Sequence, residues 1–291
     1  MKKICLFPLV ISSITTFAQQ SLQARLQEVA ATIKGKTGVY AEVLETGDTA
    51  SLHATTHYPM QSVYKFPIAL AILQEVDKGR LRLDQPVQIR KSVLTLHGHS
   101  PIRDSFPEGT TMPLREVLRY NTCESDGTAC DVLLGLLGGT RNAEKAIHAL
   151  GVRDIAIATT EKVQMEDELV QYRNWCTPAA MAQLLRIFYT KNILSPASKA
   201  LLIKDMTETP VGLKRLKGEL PPGTTVVHKT GTSNTVQGLT RATNDVGIIT
   251  LPNGKHLAIA VFVSDAYGST AEREGIIAQM ARLCFDAFTS R

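Results

Sequence analysis

The chain has 291 residues, a formal net charge of +5 and 44% hydrophobic residues. That is enough apolar material for a large core, and the length admits one or two domains. There is no Lys/Arg cluster or recognisable basic module of a nucleic-acid reader, and no run approaches the roughly 20 apolar residues that cross a bilayer.

Residues 1–18 read as an export leader. Lys2 and Lys3 give a positive start, Ile4 to Ile14 an apolar stretch, and Thr16-Phe17-Ala18 a small-x-small cleavage site before Gln19. Its removal takes away two lysines and no acid, leaving +3. A periplasmic location follows as an expectation, with residues 19–291 forming a single domain of two interleaved lobes. No linker, repeat or low-complexity tract divides them, and a monomer is expected.

In the mature part, Leu22, Leu26, Val29, Ala30 and Ile33 recur at helical spacing before Gly35. Val39, Ala41 and Val43 alternate as in a strand. Lys36-Thr37-Gly38 just before them reads as a turn. A helix runs through Ala69–Val76, with its start near Ser62 and its stop at Lys78-Gly79. From Pro113 to Phe188 the pattern is helical. Val246–Leu251 and His256–Val263 are strand-like runs joined by Pro252-Asn253-Gly254, a hairpin signal, and an amphipathic helix over Thr270–Phe288 closes the chain. Strands at both ends and helices between predict an α+β fold: an antiparallel sheet from both chain ends, flanked by terminal helices, with an inserted all-α lobe. The crevice between the lobes is the expected site.

Cys123, Cys130, Cys176 and Cys284 form no C-x-x-C pair and read as small core residues; Cys123 and Cys130 are expected on one helix, too far apart to bond. His53 with His57, and His97 with His99, lack a third ligand, so no metal site is expected. Trp175 reads as core.

Three short motifs carry the chemistry. Ser62-Val63-Tyr64-Lys65 sets a hydroxyl at a helix start, where backbone N–H groups can stabilise negative charge, with a lysine one turn along. Alone, Ser-x-x-Lys arises by chance about once in a chain of this size. Ser125-Asp126-Gly127 enters a predicted helix, where Ser and Asp also serve as plain caps. Lys229-Thr230-Gly231-Thr232 follows the strand-like Val226-Val227 and offers a cation, hydroxyls and a close-approaching glycine to an anionic, extended ligand.

In that order the motifs resemble the signature of class A serine β-lactamases and penicillin-binding proteins, the penicillin-recognising serine acyl-transferases. The resemblance covers nearly the whole mature chain and is similar to the broad-spectrum branch found in Bacteroides-like bacteria. It implies a β-lactamase/DD-peptidase-like fold, hydrolysis of β-lactam antibiotics through an acyl-serine, antibiotic resistance, and no metal or organic cofactor. By the family's pattern Ser62 is the nucleophile. Lys65 and Glu161 are the candidate bases, Ser125 and Lys229 deliver the proton to the leaving nitrogen, and the N–H groups of Ser62 and Thr232 form the oxyanion hole. Thr230, Gly231, Thr232, Ser233 and Arg215 bind substrate. Glu161 is chosen over Glu166, Asp167 and Glu168 because its intervals to Ser125 (161 − 125 = 36) and Lys229 (229 − 161 = 68) are like the family's. Arg215 resembles the carboxylate-gripping arginine of some branches, while Gly238 stands where others place theirs.

Three departures stand out. Gly127 replaces the usual Asn, which should leave Lys65 one partner short and slow the enzyme. Met165 stands where an Asn often helps hold water, and Thr159 and Asn174 replace the Arg–Asp pair that closes the base's omega-shaped loop. The alternatives are a DD-peptidase-like enzyme, which would lack Glu161's role, and a catalytically poor β-lactam-binding protein, suggested by Gly127.

Overall fold

The first long strand of the chain pairs with the last. A computed structural model describes residues 22–290, so the leader expected at 1–18 lies outside the described residues. Strands β1 (Lys36–Val43), β2 (Thr49–Leu52), β3 (Val226–Thr232), β4 (Thr243–Thr250) and β5 (His256–Ser264) form one antiparallel sheet in the order β2–β1–β5–β4–β3. The register runs from Lys36↔Ser264 to Val43↔Leu257 between β1 and β5, and from Thr243↔Thr232 to Ile249↔Val226 between β4 and β3. The hairpin joining β4 to β5 turns at Asn253-Gly254, with Gly254 at φ +80°, a conformation that suits glycine.

The period of two along β5 fills two cores at once. Leu257, Ile259, Val261 and Val263 face one side, where they meet the helix over residues 22–31 and the C-terminal helix Thr270–Thr289. Ala258, Ala260 and Phe262 face the other, against the helical lobe. Each such Val, Leu or Ile removed from water contributes about 1.5–3 kcal/mol, so the central strand holds both layers. The C-terminal helix starts with a capping box between Ser269 and Glu272.

Through the inserted lobe runs the helix Lys65–Asp77, buried without interruption from Lys65 to Leu73. Such a helix, apolar on every side, needs neighbours all round it. Leu114–Thr122, Gly127–Leu136 and Thr140–Ala149 supply several of them.

The expected sheet and inserted lobe are therefore present, and four local readings change. Lys36-Thr37-Gly38 is part of β1 rather than a turn, and Gly38 leaves room for the Tyr58 ring, which stacks on Phe262. Cys123 ends the helix Leu114–Thr122 while Cys130 lies in the next; all four described cysteines are buried free thiols. Trp175 is half-buried and stacks on His57 at 3.6 Å instead of entering the core. The long helix starts at Lys65, after a 3-10 turn over Gln61–Tyr64 that holds Ser62.

Candidate active site

The 3-10 turn is aimed by its neighbours. Asn244 on β4 donates from Nδ2 to Pro59 O (2.8 Å) and Met60 O (3.2 Å), clipping the turn to the sheet. Gln61 has φ +46° and its amide donates to Gln171 Oε1 at 2.7 Å. Strained backbone of this kind persists only where the surroundings fix it. Ser62, next in the chain, is half-buried in a cleft of about 380 Å³ between the lobes.

Lys65 Nζ donates to Ser62 Oγ at 2.8 Å and to the Ser125 carbonyl at 2.9 Å, and lies 3.0 Å from Glu161 Oε1. The ammonium thus has three oxygen neighbours. With no amide offered by Gly127, the Ser125 carbonyl and Glu161 are the partners that hold Lys65 beside Ser62. Burial, the largest single influence on Lys65, would lower its pKa, but the charge and hydrogen bond of Glu161, with the neighbouring Cys130 and Asp126, together make the net direction upward.

Ser125 is buried at φ +60° and accepts from Lys229 Nζ at 2.8 Å. Asp126 caps the helix Gly127–Leu136 through Ala129 N (2.8 Å), as a plain cap would, and also accepts Ile102 N at 2.7 Å. Burial, then the charge of Lys65, push Lys229 well below the ordinary lysine value. The two lysines are therefore driven in opposite directions, the arrangement expected where one group keeps a proton and another gives it up.

Lys229-Thr230-Gly231-Thr232 ends β3. A Cβ at Gly231 would sit 2.3 Å from Met60 O and 3.1 Å from Val63 N, so only glycine lets this strand lie against the turn that carries Ser62. Thr232 and Ser233 line the cleft. Arg215 and Thr230 are buried behind them. Arg215 donates to Thr232 Oγ1 (2.7 Å), Asn244 O (2.9 Å), Gly231 O (3.2 Å) and Glu274 Oε1 (3.2 Å).

Glu161 opens the short helix Glu161–Gln164, which Thr160 caps through Val163 N at 3.3 Å. Its loop is closed by Asn174, whose Oδ1 accepts Ala158 N (2.8 Å) and Thr159 N (2.9 Å) while Nδ2 donates to Thr159 O (2.9 Å). One amide bonding to backbone thus takes the place of the Arg–Asp pair, as the departure at Thr159 and Asn174 requires. Glu168 with Arg241, and Tyr172 with Asp265, tie the loop to the opposite rim.

Ser62, Lys65, Ser125, Glu161 and Lys229 are thus brought together by these contacts. Sequence reading missed Asp131, Gln164, Gln61, Gln171 and Asn244. Each acts through a backbone group, an amide or, for Gln164, a tyrosine hydroxyl far away in sequence, and no short motif marks it.

A family model described as the β-lactamase enzyme family matches residues 21–288. β-Lactamase VEB-1 of Pseudomonas aeruginosa is 40% identical, the match covering 98% of this chain and 95% of that protein. The crystal structure of a β-lactamase from Chitinophaga pinensis superposes with a TM-score of 0.90 at 50% identity, over 92% of this chain and 99% of that one. A class A β-lactamase structure from Bacteroides cellulosilyticus gives 0.89 at 32%, over 94% and 99%.

Proposed function

The chain belongs to the β-lactamase enzyme family and is a class A enzyme that hydrolyses β-lactams and so confers resistance; from that premise we propose how its residues divide the reaction. Ser62 Oγ attacks the lactam carbonyl carbon. Its proton passes by way of a water to Glu161, a route supported by the ion pair that keeps Lys65 charged. Lys65 steers the hydroxyl and offsets the developing charge. The N–H groups of Ser62 and Thr232 receive the oxyanion, a device worth about 2.7–4 kcal/mol per donor.

Collapse of the tetrahedral adduct breaks the C–N bond, and Ser125 Oγ–H protonates the departing nitrogen. Lys229, pushed down by burial, replaces that proton. In the acyl-enzyme Glu161 gives up the proton it gained from Ser62 and Lys229 regains one, so that both return to their starting states. Water then attacks the ester carbonyl, Glu161 takes a proton from it, and the C–O bond breaks as that proton passes by way of Lys65 to Ser62 Oγ, which returns as a hydroxyl. Thr232 and Ser233 meet the substrate carboxylate, and Arg215 and Thr230 support them from behind through the Gly231 strand. No step calls on a metal or organic cofactor.

The observation that carries this reading is Glu161 beside Lys65 at 3.0 Å, with Lys65 in turn bonded to Ser62. A penicillin-binding peptidase that holds its acyl-enzyme would have no need of that carboxylate. Intact-mass measurement with a penicillin tests it. Ser62→Ala should show no adduct, and Glu161→Ala should show one that persists. Glu161→Ala turning over at the parent rate would remove Glu161 as the base.

Residues 19–291 are proposed to act as one exported, periplasmic, monomeric domain after loss of 1–18. Among the described residues no helix is long and apolar enough to cross a membrane. N-terminal sequencing of the periplasmic protein should begin at Gln19.

A further inference from the structure

Gln164 is a buried polar side chain on the Glu161 helix for which the reaction above provides no role. It follows Glu161 by three residues, so both lie on the same face of that helix. It is 4% exposed, yet it lines the cleft with Ser62, Lys65 and Glu161. Its Nε2 donates to the hydroxyl of Tyr64 at 3.3 Å, and its Oε1 is a buried acceptor with no partner among the described residues. A buried amide oxygen without a partner is costly, about 1–3 kcal/mol, and invites an explanation at a functional site.

Tyr64 lies in the turn between Ser62 and Lys65 and is fully buried. Its hydroxyl therefore ties the nucleophile's turn to the base's helix. Met165, the next residue, cannot share the task of Gln164. A thioether is a weak acceptor and not a donor, and its sulfur packs against Gly98, 2.9 Å from where a Cβ there would stand. A bound water needs two to four polar partners to be held in one place, and a carboxylate that must also take the proton cannot supply them all.

We propose that Gln164, held by Tyr64, is the second group that positions the hydrolytic water for deacylation. The water points one hydrogen at Glu161 and the other at Gln164 Oε1. On attack, the oxygen bonds to the ester carbon and the first proton moves to Glu161, while Gln164 neither gains nor loses a proton. In the opposite amide orientation Tyr64 donates to Oε1 and Nε2 faces the water's lone pair, with the same effect on position. This inference rests on the reading that Glu161 governs release. Gln164 touches the attacking water, and Tyr64 is a positioning residue acting through it.

The test separates acylation from deacylation in the full enzyme with a chromogenic cephalosporin and a penicillin, using stopped flow and intact mass. Gln164→Leu should acylate at the parent rate, deacylate roughly ten- to a hundredfold more slowly, and show lowered kcat and KM together. Tyr64→Phe should show the same split at smaller size. Met165→Asn added to Gln164→Leu should restore deacylation without restoring the Tyr64 contact, provided Met165→Asn alone is active. A residue that only packed the loop would not be rescued in that way. Parent-like deacylation in Gln164→Leu overturns the inference, as does failure of the rescue, while a persistent adduct in Glu161→Ala leaves the reading of Glu161 intact. If Glu161→Ala also releases product normally, the reading beneath has failed instead.

Discussion

Asp131 Oδ1 accepts the backbone N–H of Glu161 at 2.7 Å, and Oδ2 accepts that of Lys162 at 2.9 Å. A carboxylate on the helix Gly127–Leu136 thereby caps the start of the helix that carries the proposed base. Burial pushes this carboxyl up to about 6. Between pH 7 and pH 5 it gains a proton, one oxygen becomes a donor, and one of the two N–H groups loses its acceptor. Amide exchange at Glu161 and Lys162, corrected for intrinsic rates, should be less protected at pH 5 than at pH 7, and Asp131→Asn should remove that difference. Because the folded value lies above the unfolded one, the folded state binds the proton more tightly. The contribution of Asp131 to stability is full below about pH 4 and is lost as pH rises through 6. Relative to the parent, Asp131→Asn should therefore gain on the order of 1–3 kcal/mol between pH 4 and pH 7. A difference in unfolding free energy that is constant with pH counts against the assignment.

Gly231 is where strand and turn meet. The methyl of Gly231→Ala would stand 2.3 Å from Met60 O, a backbone atom that cannot swing aside. The end of β3 must then move outward, taking the Thr232 N–H away from Ser62. Steric insertion of this kind costs about 1–3 kcal/mol in stability, and the lost oxyanion donor should lower kcat/KM roughly a hundredfold. Stopped-flow acylation and thermal unfolding check the two effects; acylation at the parent rate would remove Thr232 N–H from the proposed hole.

For Arg215 the geometry predicts coupling rather than an independent grip. Its Nη2 donates to Thr232 Oγ1 at 2.7 Å, and the remaining bonds go to Gly231 O, Asn244 O and Glu274. Arg215→Ala should raise KM and lower kcat/KM roughly ten- to a hundredfold, the scale of a charge-assisted hydrogen bond of about 1.5–3 kcal/mol. In a double-mutant cycle with Thr232→Val the losses should not add, because both changes break one contact. Strict additivity would instead make Arg215 an independent partner of the substrate.

The parts of this molecule that were legible in its sequence are those with periodicity or fixed spacing. The strand-like runs Val246–Leu251 and His256–Val263 and the Asn253-Gly254 turn between them announced the hairpin, and the order of three motifs pointed to Ser62, Ser125 and Lys229 as one site. Lys36-Thr37-Gly38 was misread because a tripeptide carries no information about its partners; pairing with Ser264, Val263 and Phe262 makes it strand. Asp131 and Asn244 were invisible for a related reason. They act on backbone atoms 30 and 185 residues away, and no local pattern encodes which carbonyl or N–H a fold will present.

Gly127 is the departure where the local geometry argues against the sequence-based expectation. A missing amide was expected to cost activity, so that Gly127→Asn would raise kcat/KM. Gly127 N donates to His99 O at 2.9 Å, drawing the segment around His99 close over the helix start. A Cβ at this position would lie 3.3 Å from His99 O, 3.5 Å from Glu161 Oε2 and 3.6 Å from Glu161 Cβ. The bare Cα thus eases the close approach of His99 O, a Cβ would be in ordinary contact with Glu161, and the three oxygens around Lys65 leave the amide little to improve there. The helix-start backbone is not in the left-handed region, so strain from φ is not the obstacle; crowding is. Gly127→Asn should lower kcat/KM several-fold, slow deacylation more than acylation because the amide beyond Cβ must find room beside Glu161, and reduce stability by about 1–3 kcal/mol. Gly127→Ala separates the two contributions, since it adds the same Cβ without the amide. It should reproduce most of the stability loss, and any advantage of Asn over Ala measures what the amide offers the substrate. A rise in kcat/KM for Gly127→Asn with an unchanged melting temperature would show that the His99 segment yields freely and that the amide was the missing part after all.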